Sequence, residues 1–380
     1  MGKSNFKFDN DILALRARID EIDGQILSLL DQRQTQVEKV VKLKKIHNIP
    51  VYHPAREEDL ISKLRVQANK TNLDPDFMED LYRLILRQSR VKQIDQMGGK
   101  GVRPDTRVLI IGGEGQMGQF FASLFRKSGY DVRILGKKDW KKAKQLCENI
   151  DLALICVPIE KTCDIIEQIA PFLGPKTILA DLTSIKAKPL KKMLEAHPGA
   201  VTGLHPLFGP SSGSLDKQIV VVTAGRDSDQ CQWLVEQMTL WGAVIVPCSA
   251  EEHDEIMEIV QTLRHFATFS FGQFLYEKHV RLERTLEFSS PIYRLEFGMV
   301  GRLFAQDASL YSEIIFATKQ RRQLLKDYIA SLNNHLEMLE ANDKDLFIEK
   351  FDTIAQWFGP FSEQAMREST FLINKLIERF

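Results

Sequence analysis

Three glycines at residues 113, 115 and 118 have the spacing of a loop that binds the phosphates of a dinucleotide. In the segment GGEGQMG, Gly113 permits a tight turn, Gly115 lets the backbone approach a pyrophosphate, and Gly118 lets a helix pack on the preceding strand. Gln116 and Met117 begin that helix, whose N-terminus would face the phosphates. Because the loop follows an apolar strand and opens a helix, the spacing predicts dinucleotide binding.

The residue that selects between NAD and NADP departs from the usual pattern. An acidic side chain normally ends the second strand, about 20 residues after the loop, where it binds ribose hydroxyls. This sequence has Gly136 there, followed by Lys137 and Lys138. The lysines could accept a 2′-phosphate or could be solvated surface, so the residues alone leave both cofactors open.

Side chains that could act on a substrate follow two further apolar strands. His205, in TGLHPLFGP, lies at the carboxyl end of its strand, where open α/β sheets bind their ligands. Ser184 and Lys186, in DLTSIK, follow another strand and are expected at the same edge. A neutral histidine there suits proton abstraction, because its ring titrates near physiological pH.

The chain after residue 250 is predicted to be helical, and four of its polar residues could face a substrate. Gln261 and His265 are four residues apart, so they share one helical face. Arg294 and Arg302 are eight apart, and the planar fork of an arginine suits carboxylate recognition. Either arginine could instead be an ordinary ion-pair partner.

The first hundred residues show helical patterns only, with a heptad-like apolar stripe whose inward positions are Ile12, Ile19, Ile26, Arg33 and Val40. Lys44 follows Arg33 by eleven residues and lies only about 20° away around the helix. Two cations on an apolar stripe are costly without partners. They predict a site for a small dianion, and the alternative is a buried ion pair. Arg16 is about 100° from Arg33 and is expected to point into a partner's site.

The helix that carries this stripe, residues 10–46, is predicted to be longer than its neighbours can cover. At about 1.5 Å per residue it would be about 55 Å long. The two helices after it, residues 54–69 and 75–96, are much shorter. Part of the long helix would stay bare, which predicts a homodimer.

Alternating strands and helices between these two helical parts predict a mostly parallel sheet. The fold class is therefore multidomain, with an all-α domain at residues 1–96, a linker at 97–106, a Rossmann-like domain at 107–250 and a helical domain at 251–380. The predicted strands are residues 107–113, 131–135, 152–158, 177–182, 200–206, 219–224 and 243–248.

Composition excludes several classes of partner. The formal net charge is zero, so neither nucleic acid nor an anionic membrane is expected to bind. No apolar run approaches the roughly 20 residues of a membrane span. Five scattered cysteines suit a reducing cytoplasm, and neither they nor the eight histidines have metal-ligand spacing, so no metal is predicted.

Several long motifs resemble the prephenate dehydrogenases of enteric-type bacteria over essentially all of residues 105–380. They are GGEGQMG, DLTSIK, GLHPLFGPSSGSL, EEHD, IVQTLRHFATF and SSPIYRLEFGMVGRLFAQD. The resemblance implies that His205 takes the proton of the substrate's 4-hydroxyl, that Ser184 supports this hydroxyl and that Arg302 binds a carboxylate. It places the remaining candidates near the substrate and favours NAD; they are Lys186, Gln261, His265 and Arg294.

The first helices resemble the all-helical chorismate mutase domain over about residues 8–96, through ALRARIDEIDGQILSLLDQR, VVKLKK, PAREEDLI and LRQSRVKQ. The resemblance implies that chorismate rearranges to prephenate in a pocket of charged and polar side chains, to which the other subunit contributes the first arginine. In this pocket Lys44 and Gln93 would donate to the ether oxygen, and arginines would hold the carboxylates. The implied residues are Arg16, Arg33, Lys44, Arg56, Glu57, Ser89 and Gln93.

Together the two resemblances imply a bifunctional enzyme of tyrosine biosynthesis, in which one half makes prephenate and the other oxidises it. They also imply feedback inhibition by tyrosine and a dimer formed through the C-terminal helices. Three rivals remain: an arogenate-type dehydrogenase, a mutase whose nucleotide domain only senses redox state, and a β-hydroxyacid dehydrogenase. The last usually relies on a catalytic lysine, so the histidine of GLHPLFGP argues against it.

Overall fold

The computed structural model describes residues 2–47, 49, 51–97, 101–209, 212–317 and 319–377. Residues 98–100 of the predicted linker and residues 210–211 of the histidine motif lie outside this set. Contacts divide the chain into two compact units. One comprises Met1–Val157 with Thr162–Ser249, and the other comprises Pro158–Lys161 with Ala250–Phe380.

Three helices open the first unit: α1 (Gly2–His47), α2 (Pro54–Ala68) and α3 (Pro75–Met97). Proline suits the first helical position of α2 and α3 because its missing N–H would have no intrahelical partner there. The side chain of His53 caps α2 by accepting from the backbone N–H of Arg56. The helices predicted here are confirmed, although α1 begins eight residues earlier than predicted.

The apolar stripe of α1 is largely uncovered in the single chain. Leu15 and Leu29 are each 62% exposed, and Ile26 is 50% exposed. Among the residues of α1 whose burial is described, Val41 near the end of the helix is the one that is buried. A contiguous exposed apolar surface of this kind is typical of a protein interface.

The sheet has seven strands in the order β2-β1-β3-β4-β5-β6-β7. All pairs are parallel except β5 with β6, which is antiparallel. Each predicted strand is found, so the mostly parallel sheet is confirmed. The strands are β1 (Arg107–Ile111), β2 (Asp131–Leu135), β3 (Leu152–Ile155), β4 (Ile178–Asp181), β5 (Val201–Pro206), β6 (Ile219–Ala224) and β7 (Val244–Cys248).

Buried apolar residues of the central strands pack with the neighbouring helices in one core, in which Phe125 meets Tyr130 and Trp241 edge-to-face. The central strands β1 and β3 are buried along most of their length, as expected for strands with neighbours on both sides. The helices between the strands are α4 (Gln116–Lys127), α5 (Ala143–Leu146), α6 (Ile159–Ile169), α7 (Ala187–Ala196) and α8 (Ser228–Leu240), with 3-10 turns at Trp140–Lys142 and Ala170–Phe172.

The second unit is helical throughout its described residues. Its helices are α9 (Ala250–Met257), α10 (Arg264–Glu277), α11 (Leu282–Glu287), α12 (Pro291–Phe304), α13 (Ala308–Phe316), α14 (Lys319–Glu340), α15 (Lys344–Phe358) and α16 (Pro360–Ile377), with a π-helical turn at Glu258–Leu263. Large apolar side chains are exposed here too, and Trp357 is 80% exposed. Of the helices in the described ranges, none is long and apolar enough to cross a membrane.

Candidate active sites

Three glycines of the loop after β1, at residues 112, 113 and 118, leave no room for a Cβ. Gly112 has φ +79°, and a Cβ there would collide with the carbonyl oxygen of Cys156. A Cβ on Gly118 would lie 2.6 Å from the carbonyl oxygen of Gly112, and one on Gly113 would lie 2.9 Å from Ile134. The tight turn was predicted at Gly113 but is made at Gly112, because only that residue has the left-handed backbone. Gly113 is instead required for packing against β2.

Helix α4 presents its first turn to the loop. Gly115 is the N-cap residue in an extended conformation, and within the described residues no side chain caps the helix. The backbone N–H groups of Gln116 and its neighbours are thus available to a ligand, whereas Met117 packs against the core. The first turn of α4 offers backbone N–H groups, and the neighbouring glycines leave space that a Cβ would otherwise fill. This arrangement fits the pyrophosphate of a dinucleotide.

Ser184 lies just beyond the end of β4, and His205 lies near the carboxyl end of the neighbouring parallel strand β5. Asp181 at the end of β4 pairs in register with Gly203 of β5. Ser184 follows that pair by three residues and is half-buried, while His205 follows it by two and is buried. The structure therefore brings both residues to one edge of the sheet, as the sequence predicts.

Lys186 occupies a different environment from the one expected of a substrate-binding residue. Its side chain is fully buried, and its Nζ donates to Asp181 Oδ2 at 2.5 Å and to the carbonyl oxygen of Leu204 at 2.8 Å. A buried lysine needs such a partner because its charge is costly to desolvate. This placement favours a role in holding the strand end beside His205 rather than direct contact with a substrate.

The second unit carries the other four dehydrogenase candidates. Gln261 lies in the π-helical turn and His265 at the start of α10, where its ring meets Tyr311 edge-to-face at 4.8 Å. Arg294 and Arg302 both lie on α12. Arg294 Nη2 donates to the carbonyl oxygen of Leu286 at 2.7 Å, whereas the side chain of Arg302 is exposed.

His265 is held in its neutral form. Burial, with a smaller contribution from the charge of Arg264, lowers the pKa of His265 from 6.5 to about 4. Its buried Nδ1 has no hydrogen-bond partner within the described residues. A neutral imidazole with an unpaired nitrogen could bind a polar substrate group.

We expect His265 to make the second unit sensitive to acid. Between about pH 6.5 and 4 the unfolded chain binds more protons than the folded chain, so stability falls as the pH decreases. His265→Phe keeps an aromatic ring and should lose less thermal stability than the parent between about pH 7 and about pH 5. Calorimetry measures this, with His335→Gln, an exposed position, as the control. Equal losses in the parent and His265→Phe would contradict the prediction.

Polar residues of α1 and α3 meet in the helical part of the first unit. Arg33 Nη1 donates to Ser89 Oγ at 2.8 Å, and this hydroxyl donates to the carbonyl oxygen of Ile85 at 2.8 Å. Lys44 is half-buried and donates to the carbonyl oxygen of Val51 at 2.7 Å. Burial lowers the pKa of Lys44 below its ordinary 10.5, and the charge of Glu57 opposes that shift.

Gln93 lies one helical turn after Ser89 on α3, and one atom of its side-chain amide lacks a hydrogen-bond partner within the described residues. Its Oε1 is buried and has no hydrogen-bond partner in the described part of the chain. Buried amide oxygens are normally paired, so Gln93 Oε1 is a position that could accept a hydrogen bond from a ligand.

Two mutase candidates lie at the surface. Arg16 is exposed on α1. Arg56 is exposed as well, and its Nη1 donates to Asp59 Oδ2 at 2.8 Å. Arg56 forms an exposed ion pair with Asp59, so its side chain would have to change conformation in order to line the pocket.

Glu57 is connected to the sheet domain by a buried ionic network. Its Oε1 accepts from Arg90 Nη1 at 2.5 Å, and its Oε2 lies 3.6 Å from Lys217 Nζ. Arg90 Nε also donates to Asp216 Oδ1 at 2.8 Å. The ring of Tyr52 lies below both cations, 5.5 Å from Arg90 and 4.6 Å from Lys217.

Arg90, Asp216 and Lys217 were not among the residues predicted from the sequence. Arg90 belongs to the motif LRQSRVKQ, and the other two belong to the loop after the histidine motif. Arg90 could have been suspected from the sequence, because it directly follows Ser89 on a helix whose neighbouring residues are buried. Its partner, 126 residues away, has no local signature.

We expect Arg90→Leu to destabilise the first unit strongly. The side chains of Arg90, Asp216 and Glu57 are only 6%, 5% and 11% exposed, so the change leaves buried carboxylates without their main partner. Removing one partner of such a pair costs about 3–5 kcal/mol. The free energy of unfolding in urea measures the loss.

Arg83→Leu on the same helix is the matched control. Arg83 pairs with Glu58 and Glu79 but is 41% exposed, and exposed pairs contribute at most about 1 kcal/mol. If both variants lose the same free energy, the buried network contributes no more than a surface pair.

Comparison with known families identifies three parts of the chain. Residues 15–94 match the family model of type II chorismate mutases. Residues 125–246 match the nucleotide-binding domain of prephenate dehydrogenases, and residues 249–353 match the dimerization domain of the same enzymes. The glycine loop precedes the second match. The fold and both sites thus define a chorismate mutase joined to a prephenate dehydrogenase, and the predicted fold class is confirmed.

Two relatives match nearly the whole chain. The T-protein of Enterobacter agglomerans is 43% identical over 365 residues, which cover 96% of this chain and 97% of that protein. The T-protein of Haemophilus influenzae is 41% identical over 362 residues, with coverages of 95% and 96%. The chain belongs to the T-protein family. It is a bifunctional enzyme of tyrosine biosynthesis, with chorismate mutase and prephenate dehydrogenase activities.

Solved structures agree on the fold. A prephenate dehydrogenase from A. aeolicus, in complex with hydroxyphenyl propionate and NAD+, has a TM-score of 0.52 at 20% identity and covers 67% of this chain and 98% of that one. Synechocystis arogenate dehydrogenase has a TM-score of 0.53 at 16% identity, with coverages of 68% and 99%. At these identities the likeness shows the fold alone.

Proposed function

We propose that chorismate binds among α1, α2 and α3 and rearranges to prephenate there. The observation that carries this proposal is the hydrogen bond between Arg33 and Ser89, 56 residues apart, one helical turn from a buried Gln93 Oε1 that has no hydrogen-bond partner within the described residues. Arg33 and Arg16 would hold the two carboxylates and so populate the folded conformer of the substrate. Lys44 and Gln93 would donate to the ether oxygen, on which negative charge grows as the bond breaks.

The remaining mutase candidates would shape the pocket. Glu57 and Ser89 are buried, and we propose that they bind the chorismate hydroxyl together with Arg56. A carboxylate has several acceptor positions, so the ion pair of Glu57 with Arg90 leaves room for a hydroxyl donor. This reaction needs no acid, base or nucleophile from the protein.

We propose that His205 takes the proton of the 4-hydroxyl of prephenate, with Ser184 as a hydrogen-bond partner of that hydroxyl. His205 must be neutral before it acts. Arg302 would bind a substrate carboxylate, and Arg294, Gln261 and His265 are proposed as further substrate contacts. Removal of the proton lets the carbonyl form, and loss of the ring carboxylate as carbon dioxide then makes the ring aromatic.

The cofactor is NAD, for which the glycine loop and the first turn of α4 provide the phosphate site. Bound NAD supplies the acceptor for the hydride that leaves C4 of prephenate. The alternative substrate is arogenate, the aminated analogue. Rates on prephenate and arogenate under the same conditions separate the two, and a faster reaction with arogenate would contradict the proposal.

We propose that the chain acts as a homodimer, with Arg16 completing the mutase site of the partner. The support is the exposed stripe of α1, the exposed position of Arg16 on the same helix and the match to a dimerization domain. The C-terminal helices would add to the interface, as their exposed apolar residues suggest. We further propose a cytoplasmic location, feedback inhibition by tyrosine, and the domain boundaries predicted from the sequence.

Mixing two inactive variants tests the shared site. In a dimer of Arg16→Ala with Lys44→Ala, one site has both an intact Lys44 and the intact Arg16 of the other chain. Random exchange should therefore restore about a quarter of the parent mutase activity, because half of the dimers are mixed and each has one intact site. If exchange restores nothing, although mass measurement shows mixed dimers, Arg16 acts within its own chain.

A further inference from the structure

A carboxylate lies at the end of β2 although the residue there is a glycine. A side chain on Gly136 would begin at a point 2.5 Å from Cδ of Glu114, 2.6 Å from its Oε2 and 2.8 Å from its Oε1. These are the three atoms nearest to that point. The acid that is missing from β2 is therefore replaced in space by an acid from the glycine loop.

The backbone around Glu114 is held on both sides. The N–H of Gly115 donates to the carbonyl oxygen of Gly112 at 3.0 Å, which closes the turn. Gln119 Nε2 donates to the carbonyl oxygen of Glu114 at 2.9 Å. The Glu114 side chain is exposed, so its carboxylate remains accessible to a ligand bound over the loop.

We propose that Glu114 binds the ribose hydroxyls of the adenosine half of NAD and sets the preference for NAD over NADP. The inference rests on the proposed use of NAD. A carboxylate accepts hydrogen bonds from both ribose hydroxyls, as the acid at the end of β2 does in other dinucleotide-binding domains. The same carboxylate repels the 2′-phosphate of NADP, which carries a charge of about −2.

Other charged groups near Gly136 are less suited to this role. Asp139 Oδ2 accepts from the N–H of Gly136 at 3.2 Å, and its own N–H donates to the carbonyl oxygen of Gly136 at 3.2 Å. Asp139 is thus engaged in closing the turn after β2. Lys137 and Lys138 are exposed, and among the described residues neither forms an ion pair with Glu114. The carboxylate is therefore not neutralised by the lysines that could attract a 2′-phosphate.

Calorimetric titration of the whole chain with NAD+ and with NADP+ tests the assignment without any turnover. Glu114→Gln keeps the size of the side chain but removes the charge. We expect it to raise the Kd of NAD+ about tenfold, as expected for a lost charged hydrogen bond. The Kd of NADP+ should stay the same or fall. Asp139→Asn is the matched control and should leave the ratio of the two Kd values unchanged.

Moving the acid back to β2 should restore the preference. In the double variant Glu114→Gly, Gly136→Glu the new side chain has room, because the nearest atoms it would meet belong to Glu114. Its Kd ratio should return to within about threefold of the parent, since the ribose again meets a carboxylate.

Three results would overturn the inference. One is a Glu114→Gln variant whose Kd ratio stays within about twofold of the parent, well below the effect of a charged hydrogen bond. Another is a ratio of the Kd of NADP+ to the Kd of NAD+ that falls in Asp139→Asn and does not fall in Glu114→Gln. The third is a parent chain that binds neither dinucleotide, which would contradict the proposed cofactor as well; the first two leave that cofactor intact.

Discussion

His205→Asn should abolish the oxidation of prephenate and leave the rearrangement of chorismate intact. Asparagine is close to histidine in size and polarity but cannot take a proton from the substrate hydroxyl. Loss of a general base lowers kcat by about 10²–10⁴-fold. His205 is buried at the end of β5 and is none of the residues proposed for the mutase pocket, which lie on α1, α2 and α3, so we expect the mutase rate to be retained.

The measurement is steady-state kinetics of both reactions on the same preparation of each variant. His197→Asn is the matched control, since His197 is also buried in the sheet domain and its Nε2 lies 2.7 Å from the carbonyl oxygen of Thr177. That variant should lose stability but keep dehydrogenase turnover. Loss of both activities in His205→Asn would indicate misfolding or one shared site. Dehydrogenase turnover close to that of the parent would remove His205 from the mechanism.

Lys44→Ala should have the opposite effect, with the mutase reaction lost and the oxidation of supplied prephenate retained. A preorganised donor to a developing oxyanion contributes about 10²–10³-fold to kcat. Lys44 is well placed for this because it is half-buried near the charge of Glu57. Burial lowers the pKa of Lys44 below 10.5, so Lys44 loses its proton at a lower pH than an ordinary lysine does. The mutase rate of the parent should therefore begin to fall at that lower pH.

Lys42→Ala is the control for this second prediction, because Lys42 is exposed on the same helix two residues earlier. It should leave both activities unchanged. A mutase rate in Lys44→Ala within about threefold of the parent is far from the loss expected for an oxyanion donor and would exclude Lys44 from that role.

The sequence predicted the elements well because their signals are local. Every strand appears as a run of apolar residues between turn residues, and the glycine loop is recognisable from its spacing together with its place between a strand and a helix. Parallel strands then bring their carboxyl ends to one edge, so the neighbourhood of Ser184 and His205 followed from the order of the strands.

What the sequence did not predict depends on contacts between distant residues. Lys186 lies in a motif of the family, but its burial against Asp181 depends on how the strand ends pack. The partnership of Arg90 with Asp216 spans 126 residues. The left-handed turn at Gly112 was assigned to its neighbour because both are glycines. The carboxylate of Glu114 beside Gly136 could not be foreseen, since neither residue indicates where the other lies.

The bifunctional activity of this chain is tested most directly by one assay of chorismate turnover by the whole chain with NAD, with NADP and with neither. We expect chorismate to disappear in all three. With NAD, reduced cofactor and 4-hydroxyphenylpyruvate should also form, and NADP should support far less of either product. Loss of chorismate with no reduction of either cofactor would contradict the bifunctional activity, because the chain would then be a mutase whose nucleotide domain does not oxidise prephenate.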